Sequence, residues 1–311
     1  MNIPLLSVIL PTYNPDLIRL GQTLDCLKTQ TLPTEFWELL IIDNNSDSPV
    51  AGQIDTGWHP AARVIREPRQ GLTFARLKGF LEANGNVAIL VDDDNLLNEN
   101  YLKLSLEIFE DHPGLGAAGG KSLPLFEYEQ PAWLKEFYGN LALRDLGEQV
   151  IINAWEATYP ITAPVGAGMV IRMDALKSYI KKITSQKEPI SDRTGNSLSS
   201  GGDNDIVLEI LKSGWQTGYF PMLSLIHIIP QQRTKTEYLA RLINHTNKSW
   251  IRLLESHQIN PWKKVADWTV PLRKMKAWLT YSSWKGPVNY IRWRGACGTF
   301  DGLARSNYLK K

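Results

Sequence analysis

Three consecutive carboxylates, Asp92, Asp93 and Asp94, follow directly on the apolar run Val87 to Val91. A short apolar run of this kind reads as a buried strand, and open α/β sheets bind their ligands at the carboxyl ends of strands. Adjacent like charges repel, and a hard divalent cation such as Mg²⁺ or Mn²⁺ relieves them. Mg²⁺ in particular is commonly shared between one or two carboxylates and a substrate's phosphates. The alternative for the same residues is an acidic loop capping a helix near Asn98, since Asp and Asn are common turn and N-cap residues.

The elements that must position these acids alternate in type. Leu5 to Leu10 reads as a buried strand, followed by the loop Pro11 to Pro15 and a helical stretch from about Asp16 to Thr29. Leu39 to Ile42 is a second strand ending at Asp43-Asn44-Asn45-Ser46-Asp47, and Arg63 to Arg66 a third. A turn at Gly71 opens a helix over Leu72 to Ala83, and the fourth strand stops at the aspartates. After a helix at Asn100 to Glu110 come the turn residues His112-Pro113-Gly114, the Gly-rich stretch Leu115 to Gly120 and a less regular aromatic region. Val165 to Ile171 reads as a further strand whose glycines allow close backbone approach. A polar loop from Ser185 to Ser200 leads to Gly201-Gly202-Asp203-Asn204-Asp205 and the helical pattern Ile206, Val207, Ile210, Leu211. Strands separated by helices imply a mainly parallel sheet with helices on both faces.

Taken in order, Leu10 to Asn14, Ile42 to Ser46, Gly71 with Ala75-Arg76 and Gly79, Leu90 to Asp94, and Gly201 to Asp205 resemble a family 2 glycosyltransferase of GT-A fold. The resemblance spans roughly residues 5 to 230 and rests on the order and spacing of five individually weak motifs. It implies a catalytic domain over 1–230, with a Rossmann-like nucleotide-binding half (1–115) and an acceptor half (116–230), then a helical extension over 231–311. The reaction it implies is sugar transfer, with inversion, from a nucleotide-diphosphate donor to an acceptor hydroxyl, aided by Mg²⁺ or Mn²⁺; UDP is the family-weighted nucleotide.

By the same resemblance Pro11, Thr12, Tyr13, Asn14 and Asp43 match nucleoside-binding positions, and Arg76 the arginine near the donor. Asp43 could equally open a turn with Asn44 and Ser46. Asp92 and Asp94 match the outer residues of the family's D-x-D motif. Asp94 is the leading metal ligand, while Asp92 and Asp93 belong with the nucleotide. Asp203 matches the general base, with Asp205 as supporting acid or acceptor contact. An alcohol is a poor nucleophile, and a positioned base typically contributes about 10²–10⁴-fold to rate. An N-cap role for Asp203 is compatible with that task. His227 matches a histidine that some members place near the metal or diphosphate, and a structural role is the alternative. Trp215, Trp133, Phe137 and Tyr138 are either an acceptor platform or core. Two departures stand out: Gly202 occupies a position that is often acidic, and Leu77 one that is often Asn.

Composition bounds the rest. With 311 residues and 43% apolar content, the chain can bury one large core plus an appendage. No run approaches the ~18 apolar residues of a membrane span or resembles a signal peptide. Cys26 and Cys297 are too few and too far apart for a disulfide framework or zinc site, which fits a reducing compartment. Residues 260–311 hold eleven lysines and arginines against Asp267 and Asp301, so the net charge of +2 hides a tail of about +9. Trp262, Trp268, Trp278, Trp284 and Trp293 interleave with those cations. That mixture suits an anionic membrane surface, with a basic face packed on the protein or on another subunit as the alternative. The expected setting is cytoplasmic, peripheral at the inner face of the plasma membrane, with a nucleotide-sugar donor and a saccharide or lipid-linked acceptor in cell-surface polysaccharide or glycolipid synthesis. A homo-oligomer is compatible with the sequence, and nucleic acid is not an expected partner. Two rival functions are a non-catalytic nucleotide-sugar-binding scaffold and a sugar-1-phosphate nucleotidyltransferase. The latter needs a Gly-rich, Arg-containing phosphate loop after the first strand, and Leu10 to Pro15 has neither residue.

Overall fold

The computed structural model describes residues 4–185 and 201–305. The polar loop expected at Ser185 to Ser200 lies outside the described residues apart from Ser185, which closes a helix.

The chain folds as two units. Within the described residues the first takes 4–125, 142–185 and 203–229, and the second takes 126–141, 201–202 and 230–305. Residues 126–141, placed in the acceptor half by the sequence, thus cluster with the C-terminal helices.

In the first unit the order is β1 (Leu6–Thr12), α1 (Leu17–Lys28), β2 (Trp37–Asp43), β3 (Ala62–Arg66), α2 (Leu72–Glu82), β4 (Val87–Leu90), β5 (Asn95–Leu97), α3 (Tyr101–Asp111) and β6 (Leu115–Phe126). It continues with β7 (Ile151–Asn153), β8 (Val170–Arg172), α4 (Lys177–Ser185), α5 (Gly202–Lys212) and β9 (Gln216–Ile229). The described strands form one sheet in the order β3-β2-β1-β4-β8-β6-β9-β5, with β7 also paired to β9.

Strands β1–β4 pair in parallel, whereas β8 on β4, β6 on β8, and β5 and β7 on β9 are antiparallel. The sheet is therefore mixed, and the expected parallel order holds for β1–β4. The reason is topological: parallel neighbours need a crossover helix, and the long irregular connections after α3 supply returns of the other sense.

Alternation in the strands builds the two cores. Leu6, Val8, Leu10, Leu39, Ile41 and Ile89 meet α1 and α3 on one face through Leu20, Leu24, Leu102 and Phe109. Ile9, Leu40, Ile42, Ala88 and Leu90 meet α2, α4 and α5 on the other through Ala75, Phe80, Tyr179, Val207 and Ile210. Each aliphatic side chain so buried stabilises by about 1.5–3 kcal/mol. Helix α1 starts where the sequence places it, because Asp16 Oδ1 accepts from the backbone N–H of Ile18 (3.0 Å) and Arg19 (3.2 Å).

The expected strand Val165 to Ile171 is shorter, since only Val170 and Ile171 enter β8. Gly168 has φ +72°, a left-handed conformation that ends the ladder there. The segment before it is instead tied to β4, by Gly168 N–H to Leu90 O (2.9 Å) and Leu90 N–H to Met169 O (2.9 Å).

The second unit holds α6 (Thr236–Ser256), α7 (Val270–Thr280) and α8 (Pro287–Ala304). Helices α6 and α8 lie so close that a Cβ built on Gly298 would stand 2.0 Å from the Asn244 carbonyl oxygen. Asn244 Nδ2 donates to Arg294 O (2.8 Å) and Asn247 Nδ2 to Gly295 O (3.1 Å), so side-chain amides stitch the seam. No helix among the described residues is long and apolar enough to cross a membrane.

Candidate active site

The carboxyl ends of β1 and β2 carry two loops that hold each other. Asn14, at φ +46°, donates its backbone N–H to Ser46 Oγ (2.9 Å) and its Nδ2 to Asp47 (2.9 Å), and its own Oδ1 accepts from Asp47 N–H (2.9 Å). Asp43 is buried, and its two oxygens accept from the backbone N–H groups of Ser46 (2.9 Å) and Val50 (3.2 Å). It closes the turn that its sequence neighbours suggested. Asn44, which the sequence offered only as a turn neighbour of Asp43, pins the turn before α2 by accepting from Gly71 N–H (2.7 Å) and donating to Arg69 O (2.7 Å). Its side chain thereby links the second strand end to the helix that carries Arg76.

The three aspartates after β4 point to three different partners. Asp93 accepts from Thr12 Oγ1 at 2.5 Å, tying the acid run to the end of β1. Asp94 is nearly buried, with its Oδ1 3.3 Å from His227 Nε2 and 3.2 Å from Asn95 Nδ2. That placement follows from register, because Asn95 on β5 pairs with His227 on β9 and Ile228 N–H donates to Asp94 O (2.9 Å). Asp92 keeps about a third of its side chain exposed (32%) and lies 3.9 Å from the Arg76 guanidinium. Its backbone N–H donates to Asn95 Oδ1 (3.2 Å).

Arg76 joins this group to Asp203. Its guanidinium is only 3% exposed and ion-pairs with Asp203 Oδ1, while Asp203 Oδ2 accepts from Gly166 N–H at 2.9 Å. Gly166 has no room for a side chain, since a Cβ there would stand 2.4 Å from Asp203 Oδ2 and 2.5 Å from Arg76 Nη2. The neighbouring Asn204 accepts from the Tyr159 hydroxyl, whose ionisation burial suppresses.

The electrostatics confirm the crowding. Desolvation pushes the Asp92 carboxyl up, Arg76 pulls it down, Asp94 and Asp203 push it up again and His227 pulls it down, with a raised pKa as the net result. Asp94 and Asp203, acids from opposite ends of the sequence pattern, thus act on one carboxylate between them.

A divalent cation suits this donor set. Adjacent ligands of an octahedral ion bound at about 2.1 Å stand about 3 Å apart, close to the 3.3 Å between Asp94 Oδ1 and His227 Nε2. Carboxylate oxygens with a neighbouring imidazole are donors that Mg²⁺ or Mn²⁺ accepts. His227 and Asp94 would hold it.

The structure brings together Thr12, Arg76, Asp92, Asp93, Asp94, Asp203 and His227. Asp205 stands apart. It is buried, and Lys182 Nζ donates to Asp205 Oδ1 (2.6 Å) and Glu209 Oε1 (2.8 Å). The cause is helical pitch, since residues two apart project about 200° apart. Asp203 lies in the first turn of α5, past the N-cap position, so the capping alternative does not hold. Pro11 pairs with Ile42, one step before Thr12 and Asp43 end the β1 ladder, and Tyr13 is exposed. Trp215 packs with the core beside the Arg172 guanidinium (5.7 Å) instead of offering a platform. Trp133, Phe137 and Tyr138 lie in a short 3-10 segment of the second unit, with Phe137 buried. Gly166, Asn95 and Tyr159 were the positioning residues the sequence did not single out. The glycine run at Gly166 and Gly168 signalled close approach without saying to what.

Comparison with known proteins bears on the family and the fold. The model of the family "Glycosyl transferase family 2" matches residues 7–178, which takes in the sheet through β8 and the three aspartates but ends before Asp203 and His227. An uncharacterized protein, y4gI, of Sinorhizobium fredii is 29% identical over 121 residues, covering 36% of this chain and 12% of that protein. The glycosyltransferase AglE of Haloferax volcanii is 26% identical over 121 residues, covering 38% of this chain and 39% of AglE. The matches thus span well under two thirds of either relative. Crystal structures of S. aureus TarS 1-349, including a complex with UDP-GlcNAc, superpose with TM-scores of 0.53 and 0.54 at 14% identity, covering 95% of this chain and 89% of TarS 1-349. The likeness in fold runs along nearly the whole chain, the GT-A sheet and the C-terminal helical region together. With its matched region covering more than half its length, the chain belongs to glycosyl transferase family 2.

Proposed function

We propose that this chain is an inverting glycosyltransferase that moves a sugar from a UDP-sugar to an acceptor hydroxyl in cell-surface polysaccharide or glycolipid synthesis. The observation that carries the reading is Arg76, which reaches the donor-side acid Asp92 and the acceptor-side acid Asp203 from one guanidinium. Support for the donor class comes from TarS structures in complex with UDP and with UDP-GlcNAc.

In this reading the loops Pro11 to Asn14 and Asp43 to Asp47 frame the nucleoside, and Asp92 and Asp93 border its diphosphate. A bound divalent cation supplies charge neutralisation for the departing diphosphate. Arg76 does the same work from the protein side. A diphosphate competing for the guanidinium draws it from Asp203 Oδ1, leaving that oxygen to accept the acceptor's proton while Gly166 N–H keeps the carboxylate oriented. Attack on the face opposite the leaving group then inverts the anomeric carbon. Donor would bind first, because the base is paired until the diphosphate arrives.

The test is UDP release from UDP-sugars with Mn²⁺, alongside calorimetric UDP binding, for wild type and Asp203→Asn. The variant is expected to lose about 10²–10⁴-fold in kcat with UDP affinity within a few-fold of wild type. Turnover that survives the substitution would reject the base, and UDP binding without turnover in wild type would favour the non-catalytic scaffold.

A further inference from the structure

Helix α7 turns an apolar face outward. Leu272, Met275 and Leu279 are 55%, 59% and 56% exposed, and Trp268, just ahead of the helix, is 76% exposed. On a helix of 3.6 residues per turn these four positions fall within about 60° of arc. Ala277, on the opposite side, is buried, and α7 packs against α8 there. The outward stripe is therefore the side of α7 that packing leaves over. Exposed single apolar residues are ordinary, but an aligned stripe is not.

Lysines adjoin the stripe in sequence. Lys263, Lys264, Lys276 and Lys285 are exposed and have no ion-pair partner among the described residues. By contrast Lys274 is held by Asp301 (2.7 Å) and Arg292 by Glu136. Trp278 and Trp284, both exposed, stack at 4.6 Å beside the stripe. Indole rings at the edge and lysines with long apolar stems suit a boundary between acyl chains and headgroups.

We infer that α7 is a membrane-docking element, which lays Trp268, Leu272, Met275 and Leu279 into the outer acyl layer of an anionic bilayer while the free lysines meet lipid phosphates. The charge selects the occupant: a second copy would bring the same lysines against one another, whereas an anionic bilayer attracts them. Docking of this kind is in-plane, with the helix axis parallel to the surface, which an 11-residue helix permits and spanning does not. It needs neither donor nor metal.

The test is co-sedimentation of the full chain with vesicles of phosphatidylcholine alone or with about a third phosphatidylglycerol. Wild type is expected to pellet with the anionic vesicles and weakly with the neutral ones. The triple variant Leu272→Ser, Met275→Ser, Leu279→Ser should lose at least about tenfold in partitioning with an unchanged melting temperature, since all three side chains are already in solvent. Reversing Lys263, Lys264, Lys276 and Lys285 to Glu should abolish the preference for anionic vesicles. Wild type left in the supernatant, or a serine variant that pellets as wild type does, would overturn the inference. So would light scattering that shows a wild-type dimer dispersed by the serine substitutions without vesicle binding. UDP release in the absence of vesicles is expected to match between wild type and the serine variant, so failure of docking and failure of sugar transfer are read separately.

Discussion

The two units bury opposite things. The sheet unit takes charge inside: Arg76, Asp94, Asp205 and Glu38 are all nearly inaccessible, each with a polar partner, and its strands are apolar on both faces. The helical unit leaves charge and much of its apolar surface outside, and is held by close backbone approach at Gly295, Gly298 and Gly302. Burying a charge costs several kcal/mol unless it is paired, so a fold that does so repeatedly is organised around those pairs. Solvent-facing leucine and tryptophan stripes cost less and mark a surface for use. One unit pairs its charges inside, and the other leaves charge and an apolar stripe in solvent.

The largest break in that comparison is expected from Asp94→Ala. Metal-stimulated UDP release should fall by about 10²-fold or more while the melting temperature stays close to wild type, as measured by UDP assay across a Mn²⁺ titration and by calorimetry. Equal loss with and without added metal would move Asp94 from cation binding to structure. Next in size, Gly298→Val would force α6 and α8 apart, costing about 1–3 kcal/mol or more, and urea unfolding should show it without change in UDP affinity.

A third effect depends on pH. Burial pushes the Glu38 carboxyl up, but the Asn84 backbone N–H, the Ser7 hydroxyl, the Asn84 amide and Arg63 together outweigh it and hold its pKa below the usual carboxylate range. A folded-state pKa below the unfolded one gives stability that is present above the unfolded pKa of about 4.3 and is lost as pH falls through the folded value. Glu38→Gln should therefore be destabilised relative to wild type by about 1–3 kcal/mol at pH 7. The gap should narrow in urea titrations below pH 4, and a gap independent of pH would mean that shape rather than charge matters there. The smallest change is Asp16→Ala, where loss of the side-chain oxygen that accepts from two backbone N–H groups at the start of α1 should cost about 1 kcal/mol by thermal unfolding.

Local patterning carried much of the sheet unit. The boundaries of β1, α1, β2, α2 and α3 follow from apolar runs and their punctuation by Asp16, Gly71 and Pro113, because local preference and tertiary packing agree there. Elements β6 and β9 were harder. The first contains Gly116, Gly119, Gly120 and Pro124, and the second Gly218 and Pro221, so residues that weaken strands sit inside long ones. Pairing partners, which a single sequence does not display, decide such segments. In the site, residue types and order located Asp92 to Asp94, Arg76, Asp203 and His227 together. What they did not give was direction. Asp205 went to Lys182, and the backbone N–H that fixes Asp203 belongs to a glycine, whose contribution has no side chain to notice.

His227 reaches Asp94 from a ladder only three residues deep, Asn95 to Leu97 on β5, yet the same β9 is also zipped to β7 at Thr217, Gly218 and Tyr219. A slip of one residue along β9 would turn the imidazole to the other side of the sheet. The place of His227 opposite Asp94 is thus set together with the pairing of Ile151 to Asn153 further along the same strand, and an error in register there would carry through to the imidazole.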